Sequence, residues 1–461
     1  MLHKMVCSQL QSLLNADVYG DEQSVSSITI DSRRVQVGDA YVALHGTRFD
    51  GHEFVASAHQ AGASIALIAR SSLPAVIAQW PAGRPANLTL LCVDDTLLAL
   101  GRIAAWQRQQ FSGPVLAVTG SAGKTSVKQL LTQVLSTVYH TCMTQGNLNN
   151  HIGVPLTLLS LRTEHQAAVI ELGASGLGEI AYTANFVQPD VGIITNASHA
   201  HLEGFGSLAG IVQTKGELID FVSPAGTVVL NADDAHIAEW QQRAGNKRVL
   251  LFGFSERADV RATQLHCDLN VSRFQLHTPQ GQASVVLPLL GEHNVRNALA
   301  VTAAALSVGI SLPQIVTGLQ QAEAYQGRLQ WCLGVAGQRI LNDSYNANPA
   351  SVMAAIDVLK HAPSRWLVLG DMAELGDDSI RAHIQVGEYA KQQGIQHLLA
   401  CGMSSQHTVN AFGDGGHWFA QQHEMIEYLQ QQTQAEDVIL VKGSRSARMD
   451  NVVRALQGHG E

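Results

Sequence analysis

Long hydrophobic runs are missing from this chain. No apolar stretch of the 461 residues approaches the ~18 needed to span a bilayer. The opening MLHKMVCSQLQSLL has neither a long apolar core nor a small-residue cleavage site, so neither membrane insertion nor a signal peptide is expected. Cysteine is sparse and scattered: Cys7, Cys92, Cys142, Cys267, Cys332 and Cys401 form no CxxC pair. That argues against a disulfide framework and a zinc site, and a reducing, cytoplasmic setting is expected. No cluster of lysine and arginine occurs and the net charge is −9, which disfavours nucleic acid or an anionic membrane as the main partner. An anionic ligand would need a local pocket of positive charge. There is no low-complexity tract and no evident internal repeat. What remains is the composition of a globular protein, 46% hydrophobic and 15% charged, on a chain long enough for two to four domains.

The pattern along the chain predicts α/β structure in three segments. Residues 1–108 mix short strand-like runs (27–30, 40–44, 65–68, 89–93) with helical stretches, and WPAGRPANL (80–88) reads as a loop. Residues 97–110 read as a helix ending at the breaker FSGP. From 109 to 322, strands at 115–119, 167–172, 191–196 and 226–231 alternate with helices, which implies a parallel sheet covered on both faces. LLGEHNVRNALAVTAAALSVG (289–309) predicts a long helix, with Glu292 favouring its N-terminal dipole. Residues 323–461 restart the alternation, with strands expected near 338–342, 366–370, 397–401 and 438–441.

At the start of the second segment a strand runs into TGSAGKTS (119–126) and then a helical pattern. Backbone N–H groups of a glycine loop at a helix start bind phosphate oxygens. Lys124 would lie along the β/γ-phosphates and the Thr125 hydroxyl would ligate Mg²⁺. The loop is short: the usual formula wants glycine where Val118 stands. Glu171 ends the strand of VIELGAS and could reach that metal, although many strand ends carry a glutamate. His199 and His201 in TNASHAHLEGFGS could bind metal or simply form loop hydrogen bonds. Lys215, in AGIVQTKGELI, reads by itself as a solvated helix lysine.

Together these stretches resemble the Mur ligase family, ATP-dependent amide-bond-forming enzymes of peptidoglycan synthesis and hence of cell-wall biogenesis. The resemblance runs the whole length. TIDSRRVQVGDAYVALHGTRFDGHEFVASAHQAGA (29–63) resembles the uridine-nucleotide domain; TGSAGKTS, TQGNLNNHIGVPLTLL, ELGAS, TNASHAHLEGF, Lys215 and GEHNVRNALA follow in order. In the third segment NDSYNANP, LGDMAELGDDS and VKGSRSARMDNVV are similar to the member that joins D-alanyl-D-alanine to UDP-N-acetylmuramoyl-tripeptide, giving the pentapeptide with release of ADP and phosphate.

The resemblance implies a UDP-substrate domain (1–108), a central P-loop ATPase domain (109–322) and a C-terminal Rossmann-like domain (323–461) that closes over the nucleotide and binds the dipeptide. It implies ATP and Mg²⁺ as cofactors, small-molecule substrates and a monomer. Gly120, Ser121, Ala122, Gly123, Lys124, Thr125 and Ser126 would hold phosphate. Asn294 and Asn297 would face adenine, and Arg328 and Asp343 the ribose or phosphate. Thr125, Glu171, His201 and a carbamylated Lys215 would serve metal, with Lys124, Lys215 and His201 catalytic. Ser32, Arg33 and Thr47 are candidates for the UDP-sugar, against a capped surface turn for Ser32 and Arg33. Asn346, Asn348, Lys442, Ser444 and Arg445 are candidates for the peptide substrates, against loop scaffolding. The preceding ligase of the same pathway and folylpolyglutamate synthase share the cradle and the bond chemistry. A P-loop ATPase or switch whose hydrolysis drives motion is the rival from another class, and a degenerate binding module a third. The third peptide residue and the base for the incoming amine stay unassigned.

Overall fold

The computed structural model describes residues 1–46, 49–198 and 202–458. The chain forms two compact units. One holds residues 1–117, 139–173 and 179–190; the other holds 118–138, 174–178 and 191–461. The middle segment therefore contributes to both.

In the first unit a five-stranded sheet runs in the order Asp17–Tyr19, Thr89–Val93, Ile65–Ala69, Ala40–Val42, Ile28–Thr29. Only the Asp17–Tyr19 strand is antiparallel to its neighbour. Tyr41, Ala43, Ala66, Ile68, Leu90 and Cys92 form the core on one face. The helix Thr96–Gln109 follows, capped by the Asp95 carboxylate on the N–H groups of Leu97 and Leu98. Thr141–Met143 pairs in parallel with Ala167–Glu171.

In the second unit Val191–Ile194, Thr227–Asn231, Arg248–Gly253 and Val260–Cys267 run parallel. The first two are buried at every position, as strands covered on both faces are. Two antiparallel strands, Ser272–Thr278 and Gly281–Leu287, extend this set. These two strands are not among those that the sequence pattern predicts.

The last 130 or so residues build a six-stranded sheet in the order Gln330–Leu333, Arg339–Asp343, Asp437–Lys442, Ser364–Gly370, His397–Cys401, Gly416–Phe419, parallel except for the first strand. Alternate residues serve opposite faces. Leu341, Leu367, Leu369, Leu398 and Leu440 join one core; Ile340, Val368, Leu399, Ile439 and Val441 join the other. The strand that arrives last in sequence inserts between the second and third, and sheets of this kind bind ligands at their carboxyl ends. Asp343, Lys442 and Gly370 end strands there. Among the described residues no helix is long and apolar enough to cross a membrane.

Candidate active site

The phosphate cradle lies within the second unit. The helix Lys124–Leu135 starts at Gly123, whose φ of 86° is left-handed. A Cβ there would stand 2.7 Å from Asn297 Oδ1, so glycine is required. Lys124 Nζ folds back on the loop, donating to the carbonyls of Gly120 (2.6 Å) and Ser121 (3.4 Å). A phosphate oxygen would be a stronger, charge-assisted acceptor. Two residues expected among the phosphate donors are engaged elsewhere. Ser121 N–H donates to Asn196 O (3.0 Å) and Ala122 N–H to Asn196 Oδ1 (3.0 Å). They frame the cradle.

In front of it lies a cavity of about 430 Å³. Ala122, Gly123 and Ser126 form its floor, Asn294 and Asn297 one wall, and Arg328, Asp343 and Lys442 the facing wall. Asn294 and Asn297 sit three apart on the helix Glu292–Ser307, and Asn297 donates to Asn294 Oδ1 at 3.2 Å. Arg328 stacks on Tyr345 at 4.4 Å and places Nη2 3.5 Å from Thr125 Oγ1. Its buried Nε has no hydrogen-bond partner among the described residues, a demand that a nucleotide oxygen would meet.

Lys442 departs from the expected substrate contact. Its side chain is 2% exposed, and its ammonium donates to Asp343 Oδ2 (2.6 Å) and to Asn346 O (2.8 Å). Burial pulls its pKa down, against the opposing pull of Asp343. Asn348 likewise caps the helix Pro349–Leu359 by accepting from Ser351 N–H, and Asn346 Oδ1 accepts from Ala347 N–H. Ser444 is buried, tied by its N–H to Asp371 O. Arg445 is exposed.

In the first unit Ser32 and Arg33 open a short 3₁₀ turn capped by Asp31. The Arg33 fork grips that carboxylate at 2.8 Å through two nitrogens, holding its pKa at about 2. The turn is capped and leaves Arg33 exposed. Thr47 lies outside the described residues.

For metal, Thr125 sits at the cradle and Glu171 is buried in the first unit, accepting from Asn149 Nδ2 at 2.9 Å. His201, with His199, lies outside the described residues. No group of three or more His, Cys, Asp or Glu side chains able to hold a metal stands among the described residues. A threonine hydroxyl beside a phosphate cradle fits Mg²⁺, which keeps waters and takes phosphate oxygens rather than a full protein cage. Lys215 is not the solvated lysine that its local sequence suggests. It is 2% exposed on the helix Leu208–Phe221, with its ammonium 5.0 Å from the Phe205 ring centre.

Sequence reasoning missed several cavity residues. Thr195, Asn196, Asp233, Asp234, His293 and Arg296 all line it. Asp233 accepts from the N–H groups of Phe254 and Ser255, and Asp234 from Ala197 N–H. His293 is pushed down to about 4, chiefly by desolvation and further by Lys442 and Arg296, against Asp343. The available signal was polar residues placed directly after buried strands, TNAS and NADD.

Family models match most of the chain. Residues 24–108 match the model described as Mur ligase family, catalytic domain; 118–305 match the Mur ligase middle domain; 327–445 match the Mur ligase, glutamate ligase domain. The chain belongs to the Mur ligase family. Among Mur ligases, the UDP-N-acetylmuramoyl-tripeptide–D-alanyl-D-alanine ligase of Escherichia coli (strain K12) is 44% identical over 98% of both chains. The Bacillus subtilis (strain 168) enzyme of that name is 31% identical over 95% of this chain and 94% of its own. The crystal structure of MurF from Acinetobacter baumannii superposes with a TM-score of 0.91 at 37% identity, covering 99% of each chain.

Proposed function

We propose that this Mur ligase joins D-alanyl-D-alanine to UDP-N-acetylmuramoyl-tripeptide at the expense of ATP, releasing ADP and phosphate. The observation that carries the reading is the 44% identity, over 98% of both chains, to a ligase of that name. A cradle and cavity suited to a nucleotide agree with it.

The chemistry sets the demands on the site. A carboxylate is a poor electrophile, and an amine does not displace its oxygen. Attack of the tripeptide carboxylate on the γ-phosphorus breaks the bond to ADP and gives an acyl phosphate. The dipeptide amine then adds to the carbonyl carbon, and collapse of the tetrahedral adduct expels phosphate and leaves an amide. Two anions must first meet, and Lys124 supplies positive charge where they do. Mg²⁺ supplies more when bound. Thr125, Glu171, His201 and Lys215 as a carbamate are our candidates to hold it. The burial of Lys215 suits a role inside an enclosed site better than one in solvent. Asn294, Asn297, Arg328 and Asp343 would hold the nucleoside side. We assign Ser32, Arg33 and Thr47 to the UDP-sugar end and Ser444 and Arg445 to the peptide end. Lys442, Asn346 and Asn348 frame that end.

We read the chain as three domains, 1–108, 109–322 and 323–461, working as a cytoplasmic monomer. Closure of the last over the nucleotide would keep water from the acyl phosphate.

The test is phosphate release with ATP, UDP-N-acetylmuramoyl-tripeptide and D-alanyl-D-alanine, omitting each in turn. Release should require all three, and Lys124→Ala should lower turnover by about 10²–10³. Full-speed release without either peptide partner would point instead to an ATPase that drives motion.

A further inference from the structure

The two residues that follow the buried strand Val191–Ile194 hold one residue of the cradle, Ala122, by both its backbone N–H and its backbone C=O. Ala122 N–H donates to Asn196 Oδ1 at 3.0 Å, while Ala122 O accepts from Thr195 Oγ1 at 2.6 Å and from Asn196 Nδ2 at 3.1 Å. The neighbouring N–H, that of Ser121, donates to Asn196 O at 3.0 Å. Ser121 Oγ closes the other side, donating to Ser198 O and accepting from Ser198 N–H, each at 3.0 Å. Gly120 makes room: at φ 144° a Cβ would fall 1.9 Å from Thr195 Oγ1. Asn196 in turn sits on a strand end tied to the next strand, since Asn231 Nδ2 donates to Thr195 O at 3.0 Å.

We propose that Asn196, with Thr195, is a positioning residue of the ligase reaction: it fixes the Ser121–Ala122 peptides so that the first turn of the cradle helix meets the phosphates pre-shaped. This rests on the reading of the chain as an ATP-using ligase. The physical need is clear from the loop's length. It lacks the extra residues of the longer formula, so fewer N–H groups are available, and two of those are committed to the strap. The donors that remain, at Gly123 and the start of the helix, must then be held where the phosphate oxygens arrive. A loop free to relax would have to be ordered at each binding event, and that ordering lowers affinity. Asn is suited to the task because its amide carries an acceptor and a donor on one planar group, matching the backbone N–H and C=O of the single residue Ala122 at once.

The test measures Mg·ADP binding by calorimetry and, separately, the KM of each substrate. Asn196→Ala should weaken Mg·ADP by about 10- to 100-fold, as misplacements of about 1 Å in such sites do. The ATP KM should rise with it, while the KM for D-alanyl-D-alanine stays within about twofold. Thr195→Val should weaken Mg·ADP and Thr195→Ser should restore it. Because both side chains act on the same peptide, the Asn196→Ala, Thr195→Val double variant should lose less than the sum of the two. Unchanged ADP affinity in a folded Asn196→Ala protein overturns the proposal. So does full additivity, which would mean independent contacts to the nucleotide, or an equal rise in all three KM values. The two readings fail separately: a wild-type protein without ligase activity leaves the ADP titrations to be compared, and an Asn196→Ala protein that binds normally leaves the omission assay intact.

Discussion

His293 shows how far a side chain's surroundings can depart from its sequence neighbours. It stands between Glu292 and Asn294 in the first turn of the helix Glu292–Ser307. It lines the cavity in front of the cradle, and loss of water there pushes its pKa down to about 4. The unfolded chain takes up this proton near pH 6.5 and the folded chain only near pH 4. Stability from this group is therefore full above pH ~6.5 and declines as the pH falls through that window. Melting temperatures measured from pH 7 to pH 4 should fall less steeply in His293→Gln than in the wild type. Parallel curves would mean that His293 titrates normally. Lys215 makes the same point about legibility. Helix spacing alone leaves it solvated, because exposure depends on what other elements pack over it. Glycines 120 and 123 were readable, since the need for φ > 0 in a tight loop is local.

The strands differ in the same way. Those buried on both faces announce themselves as continuous apolar runs, and His397–Cys401 and Thr89–Val93 were legible to the residue. The antiparallel pair Ser272–Thr278 and Gly281–Leu287 exposes alternate positions and carries Arg273, His277 and Gln282, so no apolar run marks it. Thr141–Met143 is too short for any period to show. Register was not legible either, and it decides what Lys442 does. Asp343 and Lys442 end adjacent parallel strands as direct partners, which brings an ammonium and a carboxylate together in a buried setting. Removing one member leaves the other charge uncompensated, at a cost of about 3–5 kcal/mol. Lys442→Met should lower the urea midpoint accordingly, with Lys442→Met, Asp343→Asn recovering part of the loss. A Lys442→Met protein as stable as wild type would show that the pair contributes no such stabilisation.

Across the second unit, parts far apart in sequence meet at a point that no local pattern reveals. Asp268 shapes the turn between Val260–Cys267 and Ser272–Thr278, accepting from the N–H groups of Asn270 (2.7 Å) and Val271 (2.9 Å) and from Arg273. Those bonds hold its carboxyl at about 2. The turn presents Leu269, which packs against the core of the last sheet. Trp331 Nε1 donates to Leu269 O at 3.0 Å, and Arg339 lies 4.1 Å over the Trp331 ring. This contact joins the part of the chain that carries the cradle to the part that carries Arg328 and Asp343, and the cavity needs both. The order of motifs made the family readable, but a contact between residues 269 and 331 leaves no trace in either stretch alone. Fully burying a leucine contributes roughly 1.5–3 kcal/mol and half-buried Leu269 only a part of that, while about 1.4 kcal/mol corresponds to a tenfold change in affinity. Leu269→Ser combined with Trp331→Phe should therefore weaken Mg·ADP measurably, by up to about tenfold, although neither residue lines the cradle. Calorimetric titration decides it: wild-type affinity in the double variant would mean that the two halves of the cavity hold their places without this contact.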